Sequence, residues 1–165
     1  MYHTISEFLT EWKNESAITE QVLNAMTDES LQQVITPEHR TLGQIAWHLV
    51  SVISSLSGED LHFEKPDGEE AAPDSVNKIA SEYKKVSQAL CHAVETQWKD
   101  EDLLQTQAVN GEEWSKANSL HLLIQHEVHH RGQMTVLMRQ AGLRPPGVYG
   151  PTREDWIDSG QKPYI

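Results

Sequence analysis

A single cysteine, Cys91, leaves this chain without any possible intrachain disulfide. Its fold must therefore rest on packing, and a reducing cytoplasm is the expected compartment. Long apolar runs are missing as well; none approaches the roughly 20 residues that a membrane-spanning helix needs. The first residues, MYHTISEFLTEWKNE, lack the basic-then-apolar order of a secretory signal. Positive charge is scarce: 13 Lys and Arg stand against 25 Asp and Glu, a formal net charge of −12. Nucleic-acid binders gain affinity by neutralising phosphates with basic side chains, so the charge argues against that class and against docking on an anionic membrane. The expected partners are small molecules or other proteins. No stretch reads convincingly as a strand, and no internal repeat is visible.

What is present reads as helix. The 165 residues suffice for one domain, 1–165, with a core of its own. Thr4-Ile-Ser-Glu7 is a capping box that opens a helix running to about Met26. A short helical piece follows Thr27 and ends before Pro37. Thr41-Leu-Gly-Gln44 is a second capping box, after which Leu42, Ile45, Leu49, Val52, Ile53 and Leu56 recur on one face until Gly58. Residues 59–73 form a long polar connection, suited to crossing between the ends of a bundle. Asp74 or Ser75 is placed to cap a third helix reaching roughly Trp98, and Asn110-Gly111 marks a turn. Ser115 caps a fourth helix ending near Gly142, before Pro145-Pro146. The tail holds one short turn at Thr152–Ile157 and is otherwise coil. Four amphipathic helices predict an all-α four-helix bundle.

The chemistry concentrates in helix four, at His126-Glu-Val-His-His130. His126 and His130 are four apart, so their Cβ atoms stack about 5–6 Å apart on one face. Leu123 and Leu137 share that face. Two neutral imidazoles held together there leave acceptor nitrogens without donors unless something binds them, which points to a metal. The letters also match H-E-x-x-H, in which the Glu serves a zinc peptidase as general base. The continuation of that signature would need Gly and His where Gln133 and Val136 stand. Glu154 with Asp158 offers an alternative carboxylate beyond Pro145-Pro146, but no sheet edge is expected there for a peptide to pair with. Glu127 lies roughly 100° around the helix from His126.

A better third ligand is His48, flanking the apolar face of helix two beside Ile45 and Val52. Bundle metal sites are assembled from inward side chains of facing helices, and three histidines leave a coordination position open. His129 sits about 60° off the pair, suited to a helix contact. Arg131 is expected to pair with an acidic residue of a neighbouring helix, and Gln133 to touch the edge of the site. Cys91 is expected as a small buried hydrophobe, and the five Trp as core anchors. His3, His39, His62, His92 and His121 have no partner at ligand spacing.

The segment Leu42-Gly-Gln-Ile-Ala-Trp-His48-Leu, with His126-Glu-Val-His-His-Arg-Gly-Gln133 and the trailing LMRQAGLRPP, resembles the DinB-like (DinB/YfiT) four-helix-bundle family over nearly the whole chain. The resemblance implies a divalent metal, zinc or nickel, held by His48, His126 and His130, a small-molecule substrate, and a homodimer formed through bundle faces. It also implies thiol chemistry: transfer of a low-molecular-weight thiol such as bacillithiol or mycothiol to an electrophile, or isomerisation of a thiol adduct. Two other readings stay open at this point, a metal-dependent hydrolase and a stress-induced metal-binding protein without catalysis. No general base is evident beside the triad. Tyr149 and Trp156 of the tail are placed either to close over the site mouth or to pack on the bundle.

Overall fold

The computed structural model describes residues 1–58, 60–66, 71–109 and 111–164. Its principal elements are α1 (Ile5–Asn24), α2 (Leu42–Leu56), α3 (Val76–Gln97), α4 (Lys116–Gln140) and a short α5 (Arg153–Asp158). Single turns of tighter 3-10 helix occupy Asp28–Gln32 and Asp100–Leu104. The capping boxes expected at Thr4–Glu7 and Thr41–Gln44 are both formed, and each hydroxyl accepts the backbone N–H three residues on. The short tail helix, capped by Thr152, stands where the sequence places it.

Two interactions set the direction of α3 against α1. The Ile5 N–H, at the start of α1, donates to Asp100 just past the end of α3, at 2.8 Å. The Val76 N–H, at the start of α3, donates to Asp28 just past the end of α1, at 2.7 Å. The two helices are thus antiparallel, and each satisfies an orphan donor of the other. Here the sequence expectation is corrected, because Ser75 stands at the N-cap of α3 without making a side-chain cap and Asp28 supplies the acceptor instead.

Lys116, opening α4, pairs with Asp60 just after α2, so α4 runs against α2. Arg131 of α4 meets Glu15 of α1, and His121 meets Tyr2, so α4 runs with α1. It follows that α2 and α3 are parallel and that the chain goes up, down, down and up. The end of α2 and the start of α3 therefore lie at opposite ends of the bundle, as the long polar connection between them suggested. α1 and α2 each pack on both α3 and α4. The shared core includes Phe8, Trp12, Leu49, Ile53, Ile79, Tyr83, Leu90 and Leu123, all buried.

Gly43 lets the first 3-10 turn seat against α2, since a Cβ there would come within 3.1 Å of Leu31 Cβ and 3.2 Å of the Leu31 carbonyl. A two-stranded antiparallel hairpin, β1 (Thr106–Val109) with β2 (Glu112–Ser115), precedes α4. It departs from the expectation of no strands. Its strands are four residues long and polar, too short to show alternation, and only the Asn110-Gly111 turn signalled it. Gly111 takes the positive φ (+85°) that such a turn requires, and Asn110 lies outside the described residues. Among the described residues, no helix is long and apolar enough to cross a membrane.

Candidate metal centre

The antiparallel seam of α2 and α4 brings one histidine of α2 against two of α4. His48 Nε2 lies 2.9 Å from His126 Nε2, which lies 3.0 Å from His130 Nε2. The ligand atoms of the three rings all fall within 4.8 Å of one another. The rings meet edge to face, with centroids 4.5–5.1 Å apart. His130 is buried, while His48 and His126 are half-buried. The three residues singled out from the sequence are therefore the three that the fold assembles.

The hydrogen bonding within this cluster is frustrated. His130 Nδ1 lies 2.7 Å from Gln133 Oε1, an acceptor, so Nδ1 carries the proton and Nε2 presents a lone pair. His126 Nε2 can donate to it or accept from His48, but a single ring nitrogen cannot do both. Three converging nitrogens that cannot satisfy each other fit one cation, since metal–imidazole bonds of about 2.0–2.1 Å let a single ion touch atoms this close. Burial pulls all three imidazoles below their ordinary pKa, His48 down to about 4, with the Arg40 charge adding to the effect. The rings are thereby kept neutral near pH 7, the form that ligates.

Gln133 fixes the tautomer of His130, as the outer partner of a metal-binding histidine does. A Gln133→Leu variant is expected to bind zinc about 10–100-fold more weakly while keeping its metal stoichiometry, measured by competition with a chromogenic chelator.

Glu127 points away from the triad. It is fully buried, and its Oε1 accepts from Thr19 Oγ1 at 2.7 Å and from the Tyr83 hydroxyl. Burial pushes its carboxyl pKa up. Arg131 pairs with Glu15 of α1, as expected from its place on α4. His129 is exposed and lies outside the three-histidine group, although its ring stacks on His130 at 4.9 Å. Cys91 is half-buried in the groove between α1 and α3, with Lys13, Glu20 and His92, away from the triad. Glu154 and Asp158 are bound to Arg139 and Arg144, so neither is placed to complete a peptidase centre. Tyr149 reaches Glu15 and Arg131, and Trp156 packs edge to face on Tyr164; neither lines a cavity at the triad.

Two cavities open beside the centre. The larger, 530 Å³, has His48, Trp47, Gln44, Ser51, Arg40 and Asp74 on its wall. The smaller, 180 Å³ and mostly apolar, is bounded by His130, Gln133, Ile45, Leu137, Ile35 and Arg40. Arg40 was not singled out in the sequence, Asp74 was read only as a candidate cap of the third helix, and Trp47 only as a core anchor. The one local signal was their position flanking helix starts, which does not by itself indicate a site.

A four-helix bundle with three imidazoles converging from its second and fourth helices, beside an open cavity, has the build of a bundle metal protein. The DinB family model matches residues 1–162, and the chain belongs to the DinB family. It is 45% identical over 161 residues to the uncharacterized protein YrdA of Bacillus subtilis strain 168, covering 97% of this chain and 96% of that one. A crystal structure of a DinB-like protein from Bacillus cereus ATCC 10987 superposes with a TM-score of 0.86 at 46% identity, over 90% of this chain and all of that one. The DinB-like protein YjoA of Bacillus subtilis, at 15% identity and a TM-score of 0.69 over 88% of this chain and 99% of that one, shares the fold.

Proposed function

We propose that this protein is a divalent-metal-dependent enzyme for small molecules, transferring a low-molecular-weight thiol of the bacillithiol type to an electrophile. The observation that carries this reading is the convergence of three neutral imidazoles, with no carboxylate of the described residues in the group, at the wall of a 530 Å³ cavity. His48, His126 and His130 would hold the ion, zinc or nickel. Because neutral ligands leave its charge intact, the ion would lower the pKa of a thiol and keep the thiolate available.

The protein's own part is to seat and orient. Gln133 locks His130, the cavity beside His48 admits the substrate, and the Trp47 ring offers an apolar wall. In the transfer, a sulfur lone pair forms a bond to an electrophilic carbon, whose leaving group departs with its bonding pair. The thiol proton passes to water through the open cavity. Hydrolysis is less well served, since the one glutamate of the histidine motif is held by Thr19 and Tyr83 in the core.

The test is turnover of a model electrophile such as 1-chloro-2,4-dinitrobenzene with a series of thiols, using zinc- and nickel-loaded protein. Activity lost on chelation and in His48→Ala, and restored to the wild type by metal, is the expected result. Full activity in the metal-free protein would end this reading.

A further inference from the structure

Arg40 ends the loop before α2, immediately ahead of the Thr41 cap. Arg131, Arg139 and Arg144 are each ion-paired, whereas Arg40 is exposed and has neither an ion pair nor a side-chain hydrogen bond among the described residues. Arg153 is likewise exposed and without an ion pair among the described residues, but it lines neither cavity at the triad, so what distinguishes Arg40 is what it faces. It faces the centre from both sides, because it lines the larger cavity together with His48 and the smaller one together with His130.

We infer that Arg40 is the anion-binding residue of this centre, and that the small molecule taken there carries a carboxylate or similarly charged group besides the atom that reaches the triad. This deepens the proposed function and rests on it for the site, though not for the thiol. Three neutral imidazoles do not cancel the charge of a divalent ion, and Arg40 adds another positive charge at the same mouth. A singly charged thiolate would leave that assembly strongly positive. A second anionic group on the same molecule offsets it and meets a planar fork that grips carboxylates through two parallel N–H bonds.

Asp74 is the opposing consideration, since it shares the wall of the larger cavity. It lines only that one, whereas Arg40 lines the smaller cavity beside His130 as well, so the guanidinium borders the centre on both sides and the carboxylate on one.

The experiment uses the full chain loaded with cobalt(II), under argon, titrated with 3-mercaptopropionate, 2-mercaptoethanol and cysteamine. Binding is read from sulfur-to-cobalt charge-transfer absorption, and propionate is followed through the ligand-field bands. The expected order is 3-mercaptopropionate at least about tenfold tighter than 2-mercaptoethanol, with cysteamine weakest, the margin of a charge-assisted pair. Arg40→Gln should bring the first two within about twofold of each other without changing cobalt content, and Arg40→Lys should keep part of the preference.

Thiols that bind without preferring the carboxylate, or a preference that survives Arg40→Gln, would overturn the inference and leave the thiol reading standing. If no thiol gives a charge-transfer band, the thiol reading falls, and propionate decides the rest. A propionate response in the wild type that Arg40→Gln abolishes upholds anion binding; no response, or one that persists in the variant, overturns it.

Discussion

A His126→Ala variant is expected to purify without bound metal and to bind added zinc or nickel more than about 100-fold more weakly than the wild type. That bound follows because the loss of a ligand's hydrogen-bond partner alone costs 10–100-fold. His126 is the most sensitive position because its Nε2 stands within 3.0 Å of both other ring nitrogens. Removing it leaves two histidines on different helices with nothing between them. His48→Ala and His130→Ala should act in the same direction, and His129→Ala should leave metal content unchanged. Elemental analysis of the purified proteins, followed by titration calorimetry, decides the matter; a His126→Ala protein carrying one metal per chain would refute the three-histidine centre.

Acid should release the metal in the same preparations, and the sign follows from burial. The folded chain holds His48 near 4 against an ordinary value of 6.5, with His126 and His130 shifted the same way. The unfolded chain therefore takes up protons first as pH falls. The stability tied to these neutral rings is complete above pH 6.5 and is lost as pH falls toward 4. Metal binding deepens the same dependence, since the bound form also requires neutral rings.

The parts of this molecule that were legible in the sequence are those governed by local rules. Helical periodicity placed α1, α2 and α4, with capping boxes opening the first two and Ser115 the third, and four-residue spacing put His126 and His130 on one face. The inward position of His48 followed from the packing of two amphipathic helices. The same wheel turned Glu127 away from the pair, but it could not name Thr19 and Tyr83 as the groups that hold it, because those lie on α1 and α3. The acceptor for the first N–H of α3 was missed for a similar reason: Asp28 is 48 residues upstream and becomes a neighbour only once α1 and α3 are antiparallel. Arg40 and Trp47 escaped notice because a cavity wall is built from several elements at once. No spacing within one element marks it.

The largest loss of stability is expected from Arg131→Ala. Arg131 is 1% exposed and donates to the Glu15 carbonyl at 2.9 Å, to Thr19 Oγ1 at 3.1 Å, and to the Glu15 carboxylate and Tyr149 hydroxyl. The Thr19 hydroxyl accepts from Arg131 and donates onward to Glu127, so one cation holds Glu15 directly and Glu127 through a bridging hydroxyl. Removing it leaves the half-buried Glu15 carboxylate and the buried Glu127 carboxyl without their cation and opens a cavity, at a cost of about 3–5 kcal/mol. For a chain of this size that corresponds to a fall in melting temperature of about 10 °C. Glu127→Gln keeps the shape and an oxygen that can accept from Thr19 and Tyr83, so alone it should cost less than about 1.5 kcal/mol and leave metal content and turnover intact. Combined with Arg131→Ala, it should recover part of the loss, because one uncompensated carboxylate is gone. Calorimetric melting of the four proteins measures this coupling directly. Additive losses in the double variant would show that Arg131 and Glu127 act independently, whereas a turnover lost in Glu127→Gln at unchanged melting temperature would restore that residue to the chemistry.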